Sequence, residues 1–399
     1  MKRVFGILAS LAILASAGAP AAPSATRVQA APVAGQAEAV RPEAPVDPEI
    51  PVALLVDLST GQTLFAREPD RRFMPASVTK VMTAYTAFDL VERGKLSLDQ
   101  EVVIDKQLAD EWGGEGSTLF LRAGDRLTVD QLLLGITTVS ANDASVALAN
   151  AAAGSLEAWL GLMNENAVKL GMRDSHFGTP NGWPDEGRTF TSARDLARLG
   201  EALTTRYPAL YKRYFGQRGM TYNGIAQNNH DPITGVVNGA DGIKTGYTRQ
   251  AGYTFLGSAE RDGRRLALVI AAAPTATMRN QAARRLMEWG FDHFASHRLL
   301  PADTLVGEAE VQDGSQTTVA VRTEKDVFAN LPRGSAEGAQ LSLRYRGPIE
   351  APIKAGDRVA MLRVEIAGQE PHEVPLVAAE DVAKANAWQR LRNGLMGLF

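Results

Sequence analysis

At 399 residues the chain is long enough for two or three domains, and its 45% hydrophobic content supplies sizeable cores. A formal net charge of −3 with no basic block excludes a nucleic-acid-binding surface of the usual electrostatic kind. Cysteine is absent, which excludes disulfides, thiol catalysis and cysteine-based metal sites together.

Residues 1–30 read as an export signal: Lys2 and Arg3, an apolar run from Val4 to about Leu14, then small residues. Cleavage after Ala17 or after Ala30 fits the small-x-small rule. The run falls short of the roughly 20 apolar residues that span a bilayer. Residues 31–49, rich in Ala and Pro, read as a flexible linker.

Val52–Asp57 and Thr63–Ala66, either side of a Gly-containing turn, form a hairpin pattern. A helix-competent run then extends from Ser77 to Arg93. Glu101–Ile104 is strand-like, and 112–117 is a glycine-rich loop in which Ser117 could line a cleft, loop solvation being the commoner explanation. Thr128 and Gln131 have capping-box spacing and open an apolar helix. Ser140-Ala141-Asn142-Asp143 is a polar break before helices at Asp143–Ala153 and Leu156–Leu170, each ended by glycine. A loop with Pro180, Asn181-Gly182 and Pro184 leads to a helix from Ser192 to Leu203. Strands follow at Gly242–Gly246, Gly252–Ala259 and Arg265–Ala273, then a long amphipathic helix from Met278 to Phe294. The expected fold over residues 50–298 is therefore α+β: an antiparallel sheet flanked by helices and carrying a helical insertion.

From 299 to 378, short alternating segments (Thr317–Arg322, Leu341–Arg346, Arg358–Ile366) between Gly and Pro turns predict a small all-β domain. Residues 379–399 place Ala385, Trp388, Leu391, Leu395, Leu398 and Phe399 on one helical face, as in a helix that lies on a membrane surface.

Three short pieces carry chemistry. In Ser77-x-x-Lys80 a hydroxyl and an amine three residues apart share a helix face. Serine needs a base within reach, and lysine serves only if burial or a second cation depresses its pKa. Ser140-Ala141-Asn142 offers a hydroxyl and an amide between helices. In Lys244-Thr245-Gly246 the lysine adds positive charge to a cleft, and the glycine lets a ligand approach the backbone. The order S-x-x-K, S-x-N, K-T-G is that of penicillin-recognising serine enzymes. A histidine-dependent hydrolase fits poorly, because there is no G-x-S-x-G and His176, His230, His293, His297 and His372 have no evident aspartate partner. His293 and His297 have i, i+4 spacing, but no H-E-x-x-H or acidic third ligand accompanies them, so neither metal nor cofactor is expected.

With these motifs, and with 75–77, 140–144, Met163-Asn164, 170–172 and 241–246, the chain resembles the low-molecular-mass penicillin-binding proteins, serine-type D-alanyl-D-alanine carboxypeptidases. The resemblance runs through the β-domain and tail. It implies a β-lactamase/transpeptidase-like fold on the outer (periplasmic) face of the cytoplasmic membrane. It also implies peptidoglycan stem peptides ending in D-Ala-D-Ala as substrate, and β-lactams as ligands that acylate Ser77. By the same resemblance, Lys80 takes the Ser77 proton and the N–H groups of Ser77 and Tyr247 bind the oxyanion. Ser140 passes a proton to the leaving D-alanine, and Asn142 bonds the substrate amide or Lys80. Lys244 and Thr245, with Gly246 beside them, hold the terminal carboxylate, and Arg279 adds charge there. Tyr247 replaces a histidine common in the family, and Asn229 a basic residue. The alternatives are a DD-endopeptidase, a β-lactamase, for which no Glu-x-x-Leu-Asn is found, and a non-catalytic scaffold.

Overall fold

The computed structural model describes residues 24–28, 43–333 and 338–389. The signal reading for 1–30 falls almost wholly outside them, as does the tail from 390 onward.

The first domain is built on five antiparallel strands: β1 (Val52–Asp57), β2 (Gln62–Arg67), β3 (Ala240–Thr248), β4 (Gly252–Arg261) and β5 (Arg264–Ala273). Their order is β2-β1-β5-β4-β3, which leaves β3 at an edge. Both faces of the sheet are covered, which is why β1 and β5 are nearly continuous apolar runs rather than alternating ones. Ala53, Leu55, Leu268 and Ile270 pack under α8 (Ala276–His293). Val52, Leu54, Val269 and Ala271 face the helical insertion. At the centre of that insertion is α1 (Lys80–Glu92), buried on nearly every side from Lys80 to Phe88; a helix so enclosed has no polar face to present.

Around α1 lie α2 (Lys106–Trp112), α3 (Val129–Thr138), α4 (Asn142–Ala153), α5 (Leu156–Lys169), α6 (Ala193–Arg206) and α7 (Pro208–Tyr214). The expected capping box of α3 is formed by Thr128 and Gln131. The elements that were not legible include α2 and α7, each a short helix without enough periodicity to register, and a small hairpin of Gly219–Tyr222 and Ile225–Asn228.

Three boundaries are corrected. The linker does not reach Glu49: Val46 and Ile50 are buried against the α8 side of the sheet, and Arg67 donates to the carbonyls of Val46, Asp47 and Ile50. The first domain does not run to 298. The chain passes straight from α8 into a strand, Phe294–Leu300, that pairs with Val327–Pro332 of the second domain. Nor does the terminal helix begin at 379. Val382 is buried and bridges Ile353, and Ala385 N donates to Asp313 O, so these residues belong to the β-domain.

The second domain is all-β, as expected, and the alternating burial of Thr318–Thr323, Gln340–Tyr345 and Arg358–Glu365 gives it its own core. Its seven-stranded sheet includes Ser24–Val28, paired antiparallel with Gln340–Tyr345. Gln62 stitches the domains together, donating to Asn330 O (2.8 Å) and accepting from Asn330 N (2.7 Å).

Candidate active site

Pieces of chain far apart in sequence meet at the β3 edge. Ser77 lies in a single 3-10 turn, Ala76–Thr79, and Lys80 is the first residue of α1, so the nucleophile sits in the turn that feeds the helix rather than within it. The three-residue spacing still closes the pair, with Lys80 Nζ 2.9 Å from Ser77 Oγ. Two glycines allow the turn to be enclosed. A Cβ on Gly182 would fall 1.8 Å from Ala76 O, and one on Gly246 would fall 2.5 Å from Pro75 O, so only glycine fits at either place.

Lys80 is 1% exposed. Its Nζ donates to Asn142 Oδ1 (2.7 Å) and to Asn181 O (2.7 Å). The Asn142 amide is oriented by its Nδ2, which donates to Glu115 O at 2.8 Å. Burial pushes the Lys80 amine well below the ordinary lysine range. The Lys244 charge pushes the same way, while Asp143 opposes both.

The polar break between α3 and α4 places Ser140 at φ +66°, a left-handed conformation rare for a side-chain-bearing residue and typical of functional turns. Asp143, fully buried, accepts from the N–H groups of Leu119 (3.0 Å), Leu121 (3.1 Å) and Ala144 (2.8 Å). Together with Asn142 N donating to Ser117 O (2.7 Å), this draws the 117–121 loop onto the start of α4. Ser117 therefore lines the cleft, the less common of the two readings its loop allowed.

On β3, Lys244 is buried and its Nζ donates to Thr245 O at 3.0 Å. Burial, helped by the Arg279 charge, lowers its pKa to about 7. Arg279, in the first turns of α8, is buried too; its Nη1 donates to Thr254 O (3.3 Å), and burial lowers its pKa to about 10. Ser77, Ser140, Thr245, Gly246, Tyr247 and Arg279 line one cavity of about 570 Å³. The residues of the three motifs, with Tyr247 and Arg279, thus lie in one place: Lys80 and Asn142 behind Ser77, and Lys244 within the strand that forms the cavity wall. Tyr247 is exposed and stacks on Tyr253 with ring centroids 4.2 Å apart. Asn229 lines the cavity, its Nδ2 committed to Gln217 O at 2.8 Å.

Sequence reasoning missed His230, Asp231, Tyr253, Asn280 and Arg284, which complete the wall. His230 is held below the usual histidine range by burial and by the Lys244 and Arg279 charges. Asn181, read only as a turn residue, supplies a Lys80 acceptor. No sequence pattern marks it, because a backbone carbonyl does that work. His293 ends α8 while His297 lies in the next strand, so their i, i+4 spacing is not on one helix. Among the described residues no group of three His, Asp or Glu side chains is placed to hold a metal. The arrangement offers a nucleophile, a depressed amine beside it and an anion-attracting wall.

Comparison with known proteins agrees with this chemistry. A family model described as D-alanyl-D-alanine carboxypeptidase matches residues 39–275, and one described as penicillin-binding protein 5, C-terminal domain, matches 294–384. The chain is 33% identical over 348 residues to D-alanyl-D-alanine carboxypeptidase DacD of Salmonella typhimurium, covering 85% of this chain and 87% of the relative. Among solved structures it is similar to penicillin-binding protein 5 from Haemophilus influenzae, with TM-score 0.73, 29% identity and coverage of 86% of this chain and 100% of the other. It is also similar to penicillin-binding protein D2 from Listeria monocytogenes in an ampicillin-bound form, with TM-score 0.56, 28% identity and coverage of 63% and 100%. The chain belongs to the D-alanyl-D-alanine carboxypeptidase family and carries that family's penicillin-binding protein 5-type C-terminal domain.

Proposed function

We propose that this protein removes the terminal D-alanine from peptidoglycan stem peptides ending in D-Ala-D-Ala, through an acyl-enzyme on Ser77, and that β-lactams trap the same serine. The observation that carries the assignment is the set of contacts around Lys80. A neutral amine has two N–H groups and one lone pair. Asn142 Oδ1 and Asn181 O are acceptors only, so they use both N–H groups. Ser77 Oγ, the remaining contact, is the one partner able to donate, and the lone pair is left to receive its proton.

Ser77 Oγ attacks the carbonyl between the two D-alanines as its proton moves to Lys80. The N–H groups of Ser77 and Tyr247 stabilise the oxyanion. Ser140, left-handed at the head of α4, relays the proton to the departing D-alanine nitrogen as the C–N bond breaks. Lys244, Thr245 and Arg279 hold the terminal carboxylate, and Gly246 allows the substrate backbone to lie against β3. Water then hydrolyses the ester and frees Ser77. Export through the N-terminal leader, with cleavage after Ala17 so that Ser24–Val28 stays in the sheet of the second domain, and attachment of the C-terminal residues to the outer face of the cytoplasmic membrane would place this chemistry at the cell wall. The basic, apolar start of the sequence and the amphipathic pattern of its end support that placement.

The test is mass spectrometry with peptide mapping after brief exposure to benzylpenicillin, alongside release of D-alanine from a D-Ala-D-Ala peptide. An adduct on Ser77 and D-alanine release are expected. No adduct on Ser77, or an adduct without D-alanine release, defeats the assignment.

A further inference from the structure

Lys244 and Thr245 are useful only if each projects from the correct face of β3. That is a matter of register, because neighbouring residues on a strand point to opposite faces. As the edge strand, β3 is held by β4 alone. Along the pair, Lys244 faces Leu256 and Thr245 faces Phe255. Leu256 packs in the helical core that contains α1, whereas Phe255 packs on the α8 side. Lys244 is thus directed toward the Ser77 and Lys80 side, and Thr245 toward the start of α8.

This register depends on one extra residue. Ala240 faces Ala259 and Gly242 faces Ser258, so Asp241 is bulged out of the ladder. Without the bulge, and with Ala240 still opposite Ala259, every later residue of β3 would slip by one. Lys244 would then face Phe255, on the α8 side, and Thr245 would face Thr254. The bulge is tied down from two directions. Tyr211 on α7 donates its hydroxyl to Asp241 Oδ1 (3.0 Å) and to Asp241 O (3.2 Å). Arg265 on β5 donates Nη1 to both carboxylate oxygens (3.0 and 2.8 Å), and the same nitrogen reaches Ser258 Oγ (2.7 Å), on the strand opposite the bulge.

We propose that Asp241 is a positioning residue: its carboxylate, clamped by Tyr211 and Arg265, locks the bulge at the head of β3 and so sets the faces from which Lys244 and Thr245 meet the substrate carboxylate. The inference rests on the carboxypeptidase reading above and adds to it a device remote from the reacting atoms.

The test compares kcat/KM for an acyl-D-Ala-D-Ala peptide with that for its C-terminal amide, in the full chain and in the variants Asp241→Asn and Tyr211→Phe. Loss of active protein scales both values equally, so their ratio reports carboxylate recognition and not folding. The ratio is expected to fall about tenfold to hundredfold in Asp241→Asn, the range a misplaced positioning group produces, and by less in Tyr211→Phe, which keeps the Arg265 contact. Ratios unchanged from the unmodified protein, whether or not activity drops, overturn the proposal. Should Asp241→Asn fail to fold, Tyr211→Phe decides by the same criterion. An unmodified protein that shows no preference for the acid peptide overturns instead the carboxypeptidase reading.

Discussion

Replacing Lys80 by methionine and by arginine separates base catalysis from charge and from packing. Methionine removes the proton acceptor and leaves Asn142 Oδ1 and Asn181 O without their donor. Each unmet buried acceptor costs about 1–3 kcal/mol. Against this stands relief from burying an amine that the site already disfavours as a cation. The two effects oppose, so melting should move by only a few degrees. Acylation should fall by roughly 10²–10⁴, the usual contribution of a positioned general base. Arginine keeps a positive charge and donors for both acceptors but cannot be deprotonated in the accessible pH range. It should lose acylation as severely as methionine. The assay is the second-order rate of benzylpenicillin adduct formation, followed by intact mass with thermal melting in parallel. Acylation of Lys80→Arg at near the original rate would mean that Lys80 acts through its charge, and acylation of both variants would mean that another group activates Ser77.

Carboxylate recognition should decline as pH rises through about 7, where Lys244 loses its proton; Lys244→Arg should move that limb of the kcat/KM profile to higher pH, and an unmoved limb would show that Lys244 does not cause it. His372 is buried with both ring nitrogens unpaired, and burial lowers its pKa to about 4 although the Asp57 charge pulls upward. The unfolded histidine, near 6.5, binds protons more readily, so this stability is complete above about pH 6.5 and is lost as pH falls toward 4. That is on the order of 3 kcal/mol, and urea titrations of His372→Leu at pH 7 and 4.5 should show a smaller acid-side loss than the original protein. Truncation after Gln389, which spares the buried Val382 and Ala385, should release the protein from membranes; unchanged fractionation would argue against a terminal anchor.

The sequence alone determined the layout of the helices and the identity of the chemical groups. Long helices with clear stops, such as those ending at Gly154 and Gly171, were legible because capping and periodicity are local properties of the chain. So was the Ser77–Lys80 pair, since three residues of helix or 3-10 turn close the same distance. The all-β second domain was legible from its alternation. What the tertiary structure alone decided were the groups that act by arriving from elsewhere. Asn181 contributes a carbonyl, and Asp143 pulls the Ser117 loop into the cleft. Gly182 admits a backbone contact that any side chain would block. The short helix α7 owes its form to the packing of Leu210, Tyr211 and Tyr214, and α2, held by its Asp105 cap, is too short for its periodicity to show in a window of sequence. The depressed lysines are the clearest case. Lys80 and Lys244 carry no mark in the sequence of their charge state, because that depends on burial and on a neighbouring cation, Lys244 for Lys80 and Arg279 for Lys244, and both are set by the fold.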